Sequence, residues 1–274
     1  MKIAVTGANG FLGVGVVREL VGRGHDVVAV DRAVDRVPDS AVRIQASLFD
    51  MTDPYVEMGA PDIVVHLAWR DGFKHGSPAH MEDLPLHIEL VRKLSNSPLN
   101  RLAIMGSMHE IGYFEGGIRA STPCNPQNMY GIAKNALRQS AALICDETAV
   151  ELQWLRGYYI VDNNPYGASI FSKICKASAD GKKSFPFTTG QCQYDFLDYS
   201  DFCSLVADVV TGSEGGGIYN ISSGHPEKLA DRVERFIKEN HLDIELDYGA
   251  FPDRPYDSPA VWGFRDHASI PGDF

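Results

Sequence analysis

The sequence predicts an α/β fold in which a doubly wound parallel sheet is followed by a smaller C-terminal substrate lobe. Short, almost continuous apolar runs at residues 3–5, 27–30, 63–67 and 102–105 read as strands buried on both faces. Helical patterns at 12–21 and 86–94 lie between them. Such β-α-β alternation implies parallel strands joined by right-handed crossovers. After about Tyr158 the alternation gives way to shorter pieces, which marks a second unit.

Each further element follows from local pattern. Residues 128–148 read as a long helix and 152–155 as the strand after it. Asp162-Asn163-Asn164-Pro165 breaks the chain. A helix at 169–179 stops at Gly181, a buried strand is expected at 218–221, and an amphipathic helix at 229–239. The tail from Phe251, rich in Pro and aromatic residues, is expected to be irregular. The expected division is a parallel-sheet domain over 1–160 and a smaller lobe over 161–274. Some of that lobe, notably 217–222, is expected to return to the large sheet. The lobe would close over the C-terminal edge of the strands, where ligands of open α/β sheets bind.

Composition narrows the function. The 274 residues include 25 Lys and Arg against 36 Asp and Glu, a net charge of −11. Nucleic-acid binders need a basic footprint, so no nucleic-acid partner is expected. Cys124, Cys145, Cys175, Cys192 and Cys203 are scattered without a C-x-x-C pair, so reduced thiols and no metal site are expected. The first strand begins at Lys2 with no leader pattern ahead of it, and no apolar run reaches membrane-spanning length. A cytoplasmic protein without membrane contact is the expectation.

The run Thr6-Gly7-Ala8-Asn9-Gly10-Phe11-Leu12-Gly13 joins the first strand to the first helix. Gly7, Gly10 and Gly13 permit a tight turn, close backbone approach to a pyrophosphate, and close helix–strand packing. The helix N-terminus then offers free N–H groups and a partial positive charge to phosphates. Asp31, at the end of the second strand, would accept hydrogen bonds from adenosine ribose hydroxyls and repel a 2′-phosphate, which favours NAD. Arg32 beside it could hold that phosphate, so NADP stays open. Together these features predict a Rossmann-type unit.

Tyr130-Gly131-Ile132-Ala133-Lys134 puts a phenol and an ammonium four residues apart, on one helix face. A free phenol titrates near 10, too high for acid–base work at neutrality. A Lys134 cation, helped by the positive charge of an oxidised nicotinamide, would stabilise the phenolate. Ser107, just past the strand at 102–105, sits where it could orient a reacting hydroxyl or carbonyl.

The glycine run, Asp31, His66-Leu67-Ala68, Gly106-Ser107 with Gly112 five residues on, Tyr130 with Lys134, and Leu155-Arg156 together resemble the extended short-chain dehydrogenases/reductases, the NAD-dependent sugar epimerase/dehydratase group. The resemblance covers nearly the whole chain. It implies that Ser107 binds the reacting oxygen, Tyr130 is the acid/base and Lys134 supports it. It further implies cofactor contacts from Phe11, Leu12, Leu48, Leu67, Ala68 and Tyr158 besides the glycines and Asp31, with Lys134 on the nicotinamide ribose. A homodimer built on two long helices, around 86–94 and 128–148, is implied as well.

The substrate end departs from the pattern. Tyr159 stands where the group usually has an Asn that holds a diphosphate, and Tyr194 precedes Asp195-Phe196 where an Arg is usual. Arg254 matches a late phosphate-binding arginine. Met108, His109 and Glu110 follow Ser107 where sugar dehydratases carry acids, which argues against dehydration. The run Ser107-Met108-His109 with Gly112-Tyr113 locally resembles uronate dehydrogenases. Met108, Trp69 and His109 are candidate substrate contacts; Trp69 is equally readable as core, and His109 as a satisfied loop histidine. Glu110 reads as solvated or structural, and Lys74 and His75 as solvated loop charges. The expected activity is epimerase or ketoreductase chemistry on a nucleotide-activated sugar. Oxidation of a free sugar acid, or NAD sensing without catalysis, are the alternatives.

Overall fold

The computed structural model describes residues 1–163, 169–253 and 258–268. Its strands are β1 (Lys2–Thr6), β2 (Asp26–Asp31), β3 (Val42–Gln45), β4 (Ile63–His66), β5 (Arg101–Ser107), β6 (Gly116–Ile118), β7 (Glu151–Gly157) and β8 (Tyr159–Val161). Then come β9 (Ser184–Pro186), β10 (Gln193–Asp198), β11 (Gly217–Ile221), β12 (Pro226–Lys228), β13 (Glu245–Asp247), β14 (Ala260–Gly263) and β15 (His267–Ala268). The helices are α1 (Phe11–Gly22), α2 (Pro54–Glu57), α3 (Ala79–Ser95), α4 (Met129–Asp146), α5 (Ile170–Ala179), α6 (Tyr199–Thr211) and α7 (Leu229–Glu239).

Successive strand residues face opposite ways, and here both directions are apolar. Ile3, Val5, Val27, Ala29, Ala103 and Met105 pack with α1 and α6 on one face. Ala4, Val28, Val30, Val64, Leu102 and Ile104 pack with α3 and α4 on the other. The sheet order is β15-β11-β7-β5-β4-β1-β2-β3, parallel throughout except for β15, which runs antiparallel to β11. From β1 the chain builds outward to β2 and β3, then returns to β4 on the other side. The crevice of this reversal opens at the C-terminal ends of β1 and β4, where a ligand site belongs.

The doubly wound sheet is as the sequence predicts, but several local details differ. Pro85 made the helix at 86–94 look as if it began late; α3 instead starts at Ala79 and carries Pro85 inside it. The tail expected to be irregular contains β14 and β15. Asn128 is not the first helical residue but the N-cap of α4, its side chain accepting from the Gly131 amide at 2.8 Å. Of the predicted break, Asn164 and Pro165 lie outside the described residues. The segment after 161 contributes α6, β11 and β15 to the large sheet and its layers. The Tyr199 hydroxyl, on α6, donates to the Phe11 carbonyl and accepts from the Gly15 amide at 3.0 Å, tying α6 to the first turns of α1.

The rest of the second half, joined by β6 from the first, forms a small sheet ordered β12-β10-β14-β6, with β8 paired to the end of β10, and a β9–β13 pair packed under α5 and α7. Asp195, on β10, has no solvent exposure and holds this sheet together. Its carboxylate accepts from the amides of Ser223 (2.6 Å), Gly224 (3.0 Å) and Gly263 (3.1 Å). Among the described residues no helix is long and apolar enough to cross a membrane. Replacing Asp195 with Ala leaves three amides without an acceptor and should cost about 3 kcal/mol, read as a lower urea midpoint at unchanged slope.

Candidate active site

The crevice holds a continuous cavity of about 1860 Å³. Gly7 leaves β1 with φ of +71°, and a Cβ there would lie 2.6 Å from the Ala68 amide nitrogen. A Cβ on Gly13 would lie 2.1 Å from the Gly7 carbonyl oxygen. The loop can therefore fold flat against the end of β4 only as glycine, leaving a cradle at the start of α1. No acidic residue occupies the first turn of α1, so the helix itself does not offset its positive end. Asp31 is aimed by two backbone amides, from Asn9 at 3.0 Å and Arg32 at 2.7 Å. A carboxylate has further lone pairs for ribose hydroxyls. Gly10, Phe11, Leu12, Arg32, Leu48, Leu67 and Ala68 line the same half of the cavity. Cradle, helix end and carboxylate fit a dinucleotide.

Ser107 ends β5 and begins a tight turn over Met108–Glu110. The turn is closed reciprocally: the Ser107 hydroxyl accepts from the His109 amide at 3.3 Å, and the Glu110 carboxylate accepts from the Ser107 amide at 2.6 Å. The Tyr130 amide, in the first turn of α4, donates to the His75 carbonyl at 3.0 Å. A Cβ on Gly131 would sit 2.3 Å from the His109 carbonyl oxygen. That close approach brings Tyr130 within hydrogen-bond reach of Ser107. One turn on, the Lys134 ammonium donates to the Met105 carbonyl at 2.7 Å and lies 5.9 Å from the centre of the Tyr130 ring. The three residues converge on the cavity.

Their electrostatics reverse one expectation. The sequence suggests a phenol acidified by Lys134, yet burial pushes Tyr130 up to about 12, with the Ser107 hydrogen bond acting the other way. Burial pushes Lys134 down to about 7, opposed by the Glu110 carboxylate. For Lys134 desolvation outweighs the Glu110 charge, whereas for Tyr130 that same charge adds to the effect of burial.

Around Tyr130 stands a group of rings that pattern reading largely passed over. The His75 ring stacks on Tyr130 at 5.3 Å, with His80 at 5.3 Å, His109 at 6.0 Å and Trp69 at 6.2 Å between ring centres. His75 is thus half-buried against the phenol rather than a solvated loop charge. His109 lines the cavity and is pushed down to about 4 by burial, so it is neutral at pH 7. Glu110 has no solvent exposure and is structural. Beneath these rings, His66 on β4 bonds Thr6 at 2.7 Å and His87 on α3 at 2.9 Å.

The far half of the cavity is aromatic. Tyr159, Tyr194, Phe171, Phe185 and Phe187 line it, with Met108 and Tyr158 at the junction. The Tyr158 hydroxyl donates to Asn220 at 3.2 Å, and the Tyr159 ring lies 4.6 Å from Tyr194. Arg254 lies outside the described residues, although Asp253 beside it lines the cavity.

Fold and site together define an NAD-dependent oxidoreductase or epimerase of the extended short-chain dehydrogenase/reductase type. The chain belongs to the NAD dependent epimerase/dehydratase family, which it matches over residues 3–222. A dTDP-6-deoxy-L-talose 4-dehydrogenase (NAD(+)) of Aggregatibacter actinomycetemcomitans is 38% identical over 271 residues, covering 97% of this chain and 100% of the relative. A probable UDP-arabinose 4-epimerase of Oryza sativa subsp. japonica is 25% identical, covering 98% and 73%. The crystal structure of a Thermotoga maritima UDP-glucose 4-epimerase with UDP-glucose shares the fold, with a TM-score of 0.82 at 20% identity over 97% of this chain and 90% of that one.

The buried histidines set a pH dependence. Burial pushes His66 to about 3 and His87 to about 2, so both stay neutral in the folded protein. An unfolded imidazole titrates near 6.5, so below that pH the unfolded chain takes up protons the folded one refuses. Stability is therefore full above about pH 7 and should fall by at most about 2 kcal/mol per histidine at about pH 5. Urea unfolding at both pH values measures the difference, and His87→Gln should shrink it.

Proposed function

We propose that this protein catalyses NAD-linked oxidation and reduction at carbon 4 of a nucleotide-activated 6-deoxyhexose. The end-to-end match with a relative named as a dTDP-sugar 4-dehydrogenase carries this reading. The cavity supports it: at about 1860 Å³ it is roughly twice the largest volume usual for one drug-sized ligand, room for a dinucleotide and a second nucleotide together. Its glycine-rich half suits the first and its aromatic half the second. Lys173, exposed on α5 at the aromatic half, is a candidate partner for the substrate's phosphates, in addition to Arg254.

In this reading Gly7, Gly10, Phe11, Leu12 and Gly13 hold the pyrophosphate of NAD. Asp31 holds the adenosine ribose, and Leu48, Leu67, Ala68 and Tyr158 line the coenzyme's path. Bound there, the oxidised nicotinamide supplies a hydride acceptor and a positive charge. Ser107 donates to the reacting oxygen and Tyr130 exchanges its proton. Lys134, when protonated, supports the phenolate, and the added positive charge of the coenzyme would tip both Lys134 and Tyr130 toward the state in which the phenol has lost its proton. Neutral His109 and His75 can donate to or accept from the sugar without adding charge.

Supplying NAD+ with dTDP-6-deoxy-L-talose should raise NADH absorbance, with little from UDP-glucose or a free sugar acid. Tyr130→Phe should lower kcat by at least about 100-fold with nearly unchanged substrate affinity. Epimerisation without net NADH, or turnover of the free acid alone, would replace this reading with one of the alternatives.

We further propose a homodimer through α3 and α4, which expose Met81, Leu86, Met129, Ile132 and Leu143. Isolated exposed apolar residues are ordinary, but five on two adjacent helices single out this pair as the candidate surface. Leu86→Glu with Ile132→Glu should convert a dimer to a monomer in light scattering; an unchanged mass rejects this surface.

A further inference from the structure

We propose that Trp69 is a positioning residue for the reaction: its indole face seats the Lys134 ammonium beside Tyr130, and His80 locks the indole in place. The inference rests on the reading of Tyr130 and Lys134 given above and goes beyond it, because Trp69 acts through Lys134 and not on the substrate.

The Lys134 nitrogen lies 3.7 Å from the centre of the Trp69 ring. Lys134 is 3% exposed, so the ammonium has almost no water and needs protein partners. The Met105 carbonyl accepts one of its three hydrogens. The ring face, electron-rich at its centre, receives the cation from another side.

The indole is itself fixed, and the direction of every bond follows from chemistry. Indole N–H only donates, so the Trp69 Nε1 to His80 Nδ1 contact at 3.0 Å makes Nδ1 an acceptor. A backbone carbonyl only accepts, so the His80 Nε2 contact with the Lys74 carbonyl at 3.0 Å places the proton on Nε2. His80 therefore spans Trp69 and the loop at 70–78, accepting at Nδ1 and donating at Nε2. The His87 ring stacks on the indole at 4.4 Å and 19°, and is anchored in turn by His66.

The charges that face Lys134 are accounted for. Glu110, on the turn after β5, favours the ammonium. His66 on β4 and His87 on α3 would oppose it only if protonated, and both are neutral near pH 7. Tyr130 on α4 is the group that the ammonium must reach. Taking away the indole face leaves the Met105 carbonyl and Glu110 as the remaining supports, so Lys134 sheds its proton more readily and Tyr130 ionises later.

The test compares Trp69→Leu, Trp69→Phe and the parent protein in two measurements. One is tyrosinate ultraviolet absorbance against pH with saturating NAD+, from which the spectrum of the matching Tyr130→Phe protein is subtracted; it needs no sugar substrate. The other is the pH profile of kcat in the oxidation direction. Trp69→Leu should move both midpoints upward by about one pH unit and lower kcat at neutrality about tenfold. The KM of the sugar should stay within about twofold. Trp69→Phe keeps a ring but loses the bond to His80, and should shift both midpoints less, in the same direction. A folded Trp69→Leu protein with parental midpoints overturns the proposal, even if its rate is low. Should Trp69→Leu not fold, parental midpoints in Trp69→Phe overturn it equally. Full turnover by Tyr130→Phe would instead reject the acid/base reading, while the absorbance titration still decides whether Trp69 supports Lys134.

Discussion

One carboxylate sealed from solvent holds the reacting end of this enzyme together. Glu110 accepts from the Ser107 amide at 2.6 Å and from the Trp154 indole at 3.0 and 2.9 Å, and has the guanidinium nitrogens of Arg156 and Arg138 at 3.7 and 4.0 Å. These partners come from β5, β7 and α4, the three elements that must meet for Ser107, Tyr130 and Lys134 to face one another. A buried charge is expensive unless it is both paired and hydrogen-bonded, and Glu110 is both. The arrangement tolerates little change, because removing either sign strands the other in a medium of low polarity.

The same enclosure governs the chemistry. With water excluded, Tyr130 is pushed up and Lys134 down, which brings the pair toward its uncharged forms. Low polarity also magnifies the effect of any charge added nearby. Under the proposed reading, the positive charge of a bound coenzyme would therefore act strongly on this pair. The surrounding imidazoles fit that behaviour, since His66, His87 and His109 are held neutral and add no competing charge.

The two halves of the cavity divide recognition by chemistry. At the glycine loop the binding surface is backbone and helix end, which suits phosphate and depends little on side-chain identity. At the far end the wall is aromatic, supplied by β8, β10, α5 and the 185–187 segment, and it suits a flat or partly apolar group. Asp195 keeps that wall's strands in register with the large sheet through β14 and the loop after β11.

Local pattern was enough to determine the parallel strands, the glycine turn at 7–13, the acid at 31, and a phenol and an amine one helical turn apart. Each depends on residues adjacent in the chain or separated by one helical turn. Glu110, His87 and the orientation of Trp69 toward Lys134 were not legible, because each is defined by partners that lie far apart in the chain, and His80 was not because its bonds depend on how the loop at 70–78 folds back. Trp154 is 44 residues from Glu110, and Lys134 is 65 from Trp69. The direction in which Tyr130 titrates was decided only by tertiary structure as well. Spacing along a helix reports which charges are near, whereas desolvation sums over every neighbour that displaces water, and those neighbours come from the whole fold.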